Sequence, residues 1–459
     1  MFFRTAFLFL LAIIPACGGS GGGGSSPPGE IVYALAEDDT NANGSIVENA
    51  ISPSGQLYPG APNPISTEGT YPVVFAIDKN TSFAFALNSN SQNDSNAKPG
   101  DIQPYNTSTA QSSTGMQAIG NPVPTGSNPT SMAIDPGGNY LVVADHGNGT
   151  SGGDVEVFKI GSNGALSGPT PVTLSSSSCP NPDKIVFPPS GSTGSTSDTF
   201  YVVCSSPELI AKTSLTATLF SCRISGTSCT SISLPTFSNS NAISNMEFSS
   251  SGTAFLPGET YTSSSYNAFL ITCTGNSFTC TLNSKTFSPG TAPAGDFAID
   301  NTTQTAFIGN YSTNGNNSFT NPGIFFTCSS ASSCSDTSYG SSSSSEAPTF
   351  LATSPNQSNL YIVSTATPLP SSSYTSTNPG PGSIYYCSLP SNSPSCQSTR
   401  TTAPYPVGMT FDPAGKFAFV PTWSGTVSIF QVGSNGQLTP AASPTINISG
   451  NMVLQVVVP

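Results

Sequence analysis

Two short apolar runs separated by a tight turn recur along the chain, and each pair is followed by a polar loop and a second hairpin. The first two runs are almost wholly apolar, which is typical of buried strands, whereas the second hairpin alternates apolar and polar residues, which predicts half-exposed strands. The pattern therefore predicts four strands per unit. The apolar pair occurs seven times, at residues 72–87, 129–144, 182–203, 242–256, 294–308, 348–363 and 406–420.

These units are copies of one repeat. Residues 127–171 and 404–444 share a Pro, an Asp-Pro-x-Gly turn and a Phe-x-x-Gly-Ser-Asn-Gly-x-Leu hairpin. Successive turns are 51 to 61 residues apart when positions 78, 135, 188, 249, 300, 354 and 412 are aligned. Four-stranded units at this period are propeller blades, which bury their faces against their neighbours. The fourth unit, residues 241–289, matches the pattern least well.

The two ends of the chain each contain part of one further blade. Residues 31–66 supply three strands without the first strand of the pattern, and residues 452–458 supply a lone apolar strand. We therefore expect the last strand to close the ring as the innermost strand of the blade begun at residue 31. The prediction is an all-β propeller of eight blades in one domain, residues 30–459. Seven blades is the alternative, if one weak repeat is absorbed elsewhere.

The Pro-x-x-φ-Ala-φ-Asp-Pro-x-Gly segments and the Gly-Ser-Asn-Gly hairpins resemble the lactonase-type β-propellers, a 6-phosphogluconolactonase-like or YVTN-like family that includes carboxymuconate cyclases. The resemblance covers about residues 31–459 and implies a propeller fold. The family is usually described with seven blades, so a count of eight departs from it. Lactone hydrolysis is the activity that the resemblance suggests, and no catalytic residue of the family can be matched onto this chain.

The amino terminus has the features of an export signal. An apolar run at residues 6–14 follows Arg4 and is too short to span a membrane. The segment Ile14-Pro15-Ala16-Cys17 resembles the lipobox of bacterial lipoproteins, which implies a signal peptide over residues 1–16 and an acylated Cys17. Residues 17–29 would then form a flexible tether to a membrane. The alternative is an ordinary cleaved signal with an incidental Cys17.

Composition narrows the function classes. Charged residues make up 7% of the chain and the formal net charge is -13, so a nucleic-acid backbone would be repelled. The negative net charge also disfavours anionic phosphorylated substrates. In addition, Arg223 and Arg400 are the only arginines after the signal, so few side chains could bind a phosphate group. The signal and anchor predict an exported lipoprotein of the bacterial outer membrane, facing the periplasm or the cell surface.

Ten cysteines remain after Cys17, an even number that predicts disulfides in an exported chain. Four pairs lie within single outer hairpins, where two residues can face each other across antiparallel strands. The two that remain both belong to the third unit and form the fifth predicted pair. The predicted pairs are Cys222 with Cys229, Cys273 with Cys280, Cys328 with Cys334, Cys387 with Cys396, and Cys179 with Cys204.

An aspartate recurs immediately before the turn between the two inner strands, at Asp78, Asp135, Asp300 and Asp412. A carboxylate at this position can accept backbone N–H groups of the turn. We expect these residues to be structural.

A possible calcium loop lies near the start of the predicted domain. Asp38, Asp39, Asn41 and Asn43 precede Gly44 and offer oxygen ligands of the kind that Ca²⁺ prefers. The twelfth position of the motif is Ala and not Glu, so an EF-hand is excluded. The alternative is a polar loop between the second and third strands of the blade.

His146 is the only histidine of the chain and follows Asp145 at the end of a second strand. Residues 37–39 and 88–94 follow second strands in the two neighbouring blades, so the three loops should share one rim of the ring. An acidic rim with one histidine could hold a metal or a small ligand, or polarise a lactone carbonyl. The alternative is that His146 is an ordinary loop residue.

These observations leave two hypotheses. The first is a monomeric, lipid-anchored interaction scaffold that binds a protein or a glycan, with Tyr266, Tyr339 and Tyr374 beside its polar loops. The second is a lactone hydrolase, with or without an assisting metal, that depends on His146 or on the Asp38 and Asp39 loop. A hydrolase should lose activity when those residues are replaced, whereas a scaffold should tolerate their loss.

Overall fold

The computed structural model describes residues 30–459 except for 39, 60–63, 92–96, 108–114, 148–151, 175–178, 180, 190–197, 205–216, 227, 237–239, 244, 262–265, 276–277, 285–296, 310–323, 330–333, 340–345, 366–380, 391–394 and 449. Within these residues every regular element is a β-strand, and the strands form eight antiparallel sheets. Cys17 and the predicted signal and tether lie outside the described residues. No helix in the described part of the chain is long and apolar enough to cross a membrane.

Each sheet is one blade, and the blades are numbered 1 to 7 for the seven sequence units, with the composite called the closing blade. The chain begins in the closing blade and passes to blade 1 through a connecting strand. These elements are β1 (Glu30–Asp38), β2 (Asn43–Ile51), β3 (Leu57–Pro59) and the connecting strand β4 (Ile65–Thr70).

Blades 1 to 4 follow, and a second connecting strand, β9, separates blades 1 and 2. Blade 1 contains β5 (Pro72–Ile77), β6 (Phe83–Asn88), β7 (Pro99–Asn106), β8 (Gln117–Ala118) and then β9 (Val123–Ser127). Blade 2 contains β10 (Pro129–Ile134), β11 (Tyr140–Asp145), β12 (Asp154–Ile160) and β13 (Leu166–Val172). Blade 3 contains β14 (Pro182–Val186), β15 (Thr199–Cys204), β16 (Thr218–Arg223) and β17 (Thr230–Ile232). Blade 4 contains β18 (Ser240–Ile243), β19 (Glu247–Phe248), β20 (Ala254–Tyr261), β21 (Tyr266–Thr274) and β22 (Thr279–Ser284).

The remaining blades have the same plan, and the last strand returns to the start. Blade 5 contains β23 (Phe297–Asp300), β24 (Thr305–Gly309), β25 (Ile324–Ser329) and β26 (Ser335–Ser338). Blade 6 contains β27 (Ala347–Thr353), β28 (Asn359–Thr365), β29 (Pro381–Ser388) and β30 (Cys396–Pro404). Blade 7 contains β31 (Thr410–Phe411), β32 (Phe417–Thr422), β33 (Thr426–Val432) and β34 (Leu438–Asn447), and the chain ends with β35 (Asn451–Val457).

The last strand closes the ring. β35 pairs antiparallel with β1, so the closing blade has the order β3-β2-β1-β35 with the C-terminal strand innermost. The prediction of eight blades is confirmed, and the alternative of seven is wrong. The eight blades form an all-β propeller.

Blade 4, the weakest sequence match, is a genuine blade with an interrupted innermost strand. β18 and β19 both pair with β20, and Asn245 and Met246 lie between them. The Asn245 side-chain oxygen accepts the N–H of Met246 at 2.8 Å, so a side chain replaces a ladder partner there.

The core consists of apolar clusters between neighbouring blades. The cluster between blade 7 and the closing blade, for example, joins Phe419 and Val427 to Val32 and Val453. A similar cluster fills each of the other seven junctions. Because each sheet is covered on both faces by its neighbours, the inner strands can be apolar throughout, as their sequence predicted.

Polar side chains also join neighbouring innermost strands. Gln455 of the closing blade accepts the N–H of Phe75 in blade 1 at 2.9 Å, and Ser131 of blade 2 accepts that of Ile185 in blade 3 at 3.1 Å. Lys184 of blade 3 donates to the side-chain oxygen of Asn245 in blade 4. These hydrogen bonds therefore connect the innermost strands of neighbouring blades in addition to the apolar contacts between them.

The repeated aspartates stabilise the inner turns, as predicted. Asp135 accepts the N–H groups of Gly137, Asn139 and Tyr140 at 2.8, 2.6 and 2.6 Å. Equivalent bonds are made by Asp78, Asp300 and Asp412. A serine takes this role in blades 4 and 6, where Ser249 and Ser354 bond the same backbone positions.

All five predicted disulfides are formed. Four of them close the outer hairpins of blades 3, 4, 5 and 6, and Cys273 lies directly opposite Cys280 with Cα atoms 4.0 Å apart. The fifth, Cys179 with Cys204, ties the entry of blade 3 to the end of its second strand. Five disulfides indicate an extracytoplasmic protein.

Candidate functional site

The three loops predicted to share a rim are joined by backbone hydrogen bonds. Tyr71 donates to the carbonyl of Ala42 at 2.8 Å and accepts the N–H of Ser89 at 2.9 Å. One blade further on, the N–H of Asn128 donates to the carbonyl of Lys98 in blade 1 at 3.1 Å, and the carbonyl of Asn128 accepts the N–H of His146 in blade 2 at 3.0 Å. Tyr71 and Asn128 each precede the proline that begins an innermost strand, and both have positive φ values, 52° and 55°. The geometry thus forms a continuous rim from the closing blade to blade 2.

The Asp38 loop is a compact, internally bonded turn. The Asp38 carboxylate accepts the N–H and hydroxyl of Thr40 at 2.8 and 2.6 Å and the N–H of Asn41 at 3.1 Å. These bonds lower the pKa of Asp38. The Asn41 side chain accepts the N–H of Asn43 at 3.0 Å, and Asp39 lies outside the described residues. Among the residues that can be described, no group of three or more His, Cys, Asp or Glu side chains is arranged to hold a metal ion.

Asp145 and His146 do not lie on an exposed surface. Asp145 is 0% exposed and His146 is 3% exposed, so neither residue presents its side chain at the surface of the rim. The connecting strand β9 and the first residues of β12 cover this corner of blade 2. A substrate at the rim would therefore reach neither side chain without displacing part of the fold.

Asp145 belongs to a cluster of three acidic side chains. It lies opposite Asp154 in the β11–β12 register, and Glu156 follows two residues later on β12. Burial raises the pKa of Asp145 to about 9, and the charges of Glu156 and Asp154 act in the same direction. Burial likewise raises the pKa of Glu156 to about 7 and raises that of Asp154. The cluster therefore retains protons near neutral pH.

A second candidate site lies among the innermost strands of blades 4, 5 and 6. This inner cleft is small and partly open to solvent, and it is lined by Glu247, Phe248, Phe297, Ile299, Phe350 and Thr353 among others. Burial raises the pKa of Glu247 to about 7, whereas the nearby charge of Lys184 acts to lower it. Such a carboxyl can both accept and donate a proton at neutral pH.

Sequence reasoning missed this cleft, although a signal was present. Lys184 and Glu247 are charged residues in innermost strands, and a charge buried in such a strand must face a partner or a cavity. Lys184 is buried and bonds Asn245 across the blade junction. Glu247 is therefore a carboxyl in the lining of a mainly apolar cleft, and the charge of Lys184 acts on it from the neighbouring blade.

The tyrosine prediction is wrong for Tyr339. That side chain is buried, donates to the carbonyl of Glu346 at 3.1 Å and packs edge-on against Tyr385. Tyr374 lies outside the described residues, and Tyr266 begins β21. Among the large apolar side chains described, Tyr58 alone is exposed.

Comparison with known families adds one match. Residues 61–205, which are 145 of the 459 residues, match the model described as "Lactonase, 7-bladed beta-propeller". This part of the chain is similar to the lactonase-type β-propellers. The match covers blade 1, blade 2 and the inner strands of blade 3, and the resemblance predicted from the repeats is confirmed. The propeller has eight blades where the family description has seven.

Several solved structures have a similar fold at low sequence identity. A protein from Lactobacillus plantarum shares 10% identity, with coverage of 94% of this chain and 99% of that one and a TM-score of 0.50. The Dos1 propeller shares 12% identity, with coverage of 88% and 90% and a TM-score of 0.56. Sqt1 of Chaetomium thermophilum, bound to the N-terminus of the ribosomal protein L10, shares 15% identity, with coverage of 80% and 85% and a TM-score of 0.52. At these identities the likeness shows the fold alone, and no curated protein matches the chain.

Proposed function

We propose that this lactonase-like propeller is an exported, lipid-anchored scaffold that binds a protein or a glycan on its outer rim. The observation that carries this proposal is the cross-linking of the outer hairpins in four consecutive blades, 3 to 6. Described outer strands of the other blades carry no such bond. A surface held rigid in advance loses less conformational entropy when a partner binds.

Two further observations support a scaffold. Asp145 and His146, on which a rim hydrolase would depend, are buried at a blade junction. A propeller of similar fold, Sqt1, binds a segment of a partner protein. The cross-linked face of blades 3 to 6 would present exposed polar residues such as Ser335 and Gln397 to a partner.

The anchor is the part of the proposal that rests on the sequence. Cys17 would carry the lipid, residues 17–29 would hold the propeller domain of residues 30–459 away from the membrane, and the protein would act as a monomer at the outer membrane. Replacing Cys17 with Ser should move the protein from the membrane fraction to the soluble extracytoplasmic fraction, because a thiol is the acylation site of the lipobox. The measurement is fractionation combined with incorporation of a labelled fatty acid. Cys179→Ser, with its bond partner also replaced, is the control and should remain membrane-bound.

Lactone hydrolysis is the second candidate function, favoured by the family match together with the inner cleft. The Glu247 carboxylate would accept a proton from water as it attacks the lactone carbonyl, and the tetrahedral intermediate would collapse with cleavage of the ring C–O bond. The opened ring would leave as a hydroxy acid after the proton returns to the alkoxide. Calcium bound at the Asp38 loop remains a prediction of the sequence, as does a role for Asp39.

One experiment separates the two functions. The oxidised full chain is assayed on a panel of sugar and aromatic lactones with and without Ca²⁺, beside Glu247→Gln and the exposed control Glu68→Gln. In parallel, a photo-crosslinker is placed at Ser335 or Gln397 in the cross-linked blades and at Thr170 in blade 2. A partner captured from the first two positions but not from Thr170, without turnover, supports the scaffold. Turnover lost only in Glu247→Gln overturns it in favour of the hydrolase.

A further inference from the structure

The two connecting strands, β4 and β9, are each held against the second strand of the blade that follows. In blade 1 the contact is made by Asn88, the last residue of β6. Its side-chain N–H₂ donates to the carbonyl of Thr67 on β4 at 2.9 Å and to the carboxylate of Asp101 on β7 at 2.8 Å. The amide therefore joins the connecting strand to the blade with two hydrogen bonds.

Asp145 occupies the same position in blade 2. It ends β11 and lies opposite Asp154, as Asn88 ends β6 and lies opposite Asp101. The connecting strands approach in the same way, since a Cβ on Gly69 of β4 would lie 2.6 Å from Asn88 Cγ, and one on Gly126 of β9 would lie 2.8 Å from Asp145 Cγ. A carboxyl group thus stands where blade 1 has an amide donor.

The surroundings of Asp145 are acidic. The titratable groups that act on it are Asp154 and Glu156, both on β12, while β9 contributes only the Thr125 hydroxyl and the Gly126 N–H. The Gly126 N–H is already bonded to Glu156 at 3.1 Å. Among the described residues, no donor reaches either Asp145 oxygen in good hydrogen-bond geometry. An ionised Asp145 would be a buried charge beside two other carboxylates, which is costly.

We propose that this blade 1–blade 2 junction is a proton-dependent latch, in which Asp145 is a neutral carboxylic acid that donates a hydrogen bond to Asp154 as the Asn88 amide does to Asp101. Loss of this proton converts the donor into a third buried carboxylate. Repulsion then loosens β9 from the blade 2 sheet. An exported protein meets the pH of its surroundings directly, so the latch would couple that pH to the rigidity of the rim.

The direction of the pH effect follows from the raised pKa values. Asp145 keeps its proton in the fold up to a pKa of about 9, whereas an unfolded Asp loses it at its ordinary value near 3.8. The unfolded state therefore binds fewer protons between these values, so the stability of the junction falls as pH rises through that window. Burial raises the pKa of Glu156 to about 7 in the fold, so this residue also makes the stability of the junction fall as pH rises from about 4.5 to 7.

The test compares thermal unfolding of the full chain at pH 5 and at pH 8.5. Asp145→Asn supplies a permanent amide donor, so its unfolding midpoint should exceed that of the wild type by ~2–4 °C at pH 8.5 and match it more closely at pH 5. The reciprocal variant Asn88→Asp installs an acid pair in blade 1. Its midpoint should fall much further at pH 8.5 than at pH 5, where the protonated replacement side chain still donates one of the two hydrogen bonds that the Asn88 amide makes. Equal shifts at both pH values in either variant would overturn the latch.

A spectroscopic readout keeps the test decisive if Asp145→Asn folds poorly. Infrared difference spectra of the wild type at pH 7 should contain a protonated-carboxyl C=O band that is absent from Asp145→Asn. If that variant folds poorly, Asp154→Asn replaces it, and the band should then shift in frequency because the acceptor of the Asp145 hydrogen bond has changed. Amide exchange of residues 123–128, corrected for intrinsic rates, should quicken above pH 9 in the wild type alone. A wild type without the band, or with unchanged exchange, contradicts the proposal.

Discussion

Deletion of residues 451–459 should abolish cooperative folding, because it removes the strand that closes the ring. β35 supplies the innermost strand of the closing blade, and its Val453 and Val456 are buried in the cluster shared with blade 7. Each buried valine is worth about 1.5–3 kcal/mol, and the deletion also exposes the hydrogen-bonding edge of β1. We expect aggregated or partly unfolded protein, detected by loss of the thermal transition in circular dichroism.

The matched control removes only Val458 and Pro459, which follow β35. This shorter deletion keeps every pair between β1 and β35 and should change the unfolding midpoint little. A milder probe is Gln455→Ala, which removes the acceptor of the Phe75 N–H and should cost about 1–3 kcal/mol for a buried unpaired donor. A full-length transition in the longer deletion would show that the ring does not need its closing strand.

Asp135→Ala should destabilise the propeller by about 3 kcal/mol, the second largest effect that we expect. The carboxylate accepts three backbone N–H groups in the turn between β10 and β11, and alanine leaves all three without that acceptor. Equilibrium unfolding in urea measures the loss as a lower midpoint with an unchanged slope.

The repeat itself provides the control for this prediction. Asp135→Ser introduces the residue that blades 4 and 6 use at the same position, where Ser249 and Ser354 each accept a turn N–H. We expect Asp135→Ser to recover part of the lost stability. If the alanine and serine variants are equally unstable, the effect does not come from the turn hydrogen bonds.

Local sequence patterns were sufficient to predict those features that depend on residues close together in the chain. The turn aspartates bond N–H groups two to five residues away, and the hairpin cysteines face each other across a single turn. The period of the repeat then predicted the blades, since a four-stranded unit of this length has few other ways to bury two faces. Even blade 4 obeyed the pattern, although Asn245 replaces a ladder contact in its innermost strand.

The candidate sites show where such signals fail. Asp145 ends a strand and His146 follows it before a glycine, which is typical of the start of an exposed loop, yet the connecting strand β9 covers them. The inner cleft draws Glu247, Phe297 and Phe350 from three successive blades. In both places the partner residues lie far apart in the chain, so no local pattern records their contact.

By itself the sequence determined the all-β repeat, the ring of eight blades closed by its ends, the disulfides and the inner turns. These features follow from hydrogen bonds and apolar spacing within a unit, or between copies of the same unit. Tertiary structure alone decided which polar side chains are buried, which carboxyls keep a proton and which strands enclose a cleft. The physical reason is that burial and charge interaction depend on what the adjacent blade places over a residue, and that is set by the packing of the whole ring.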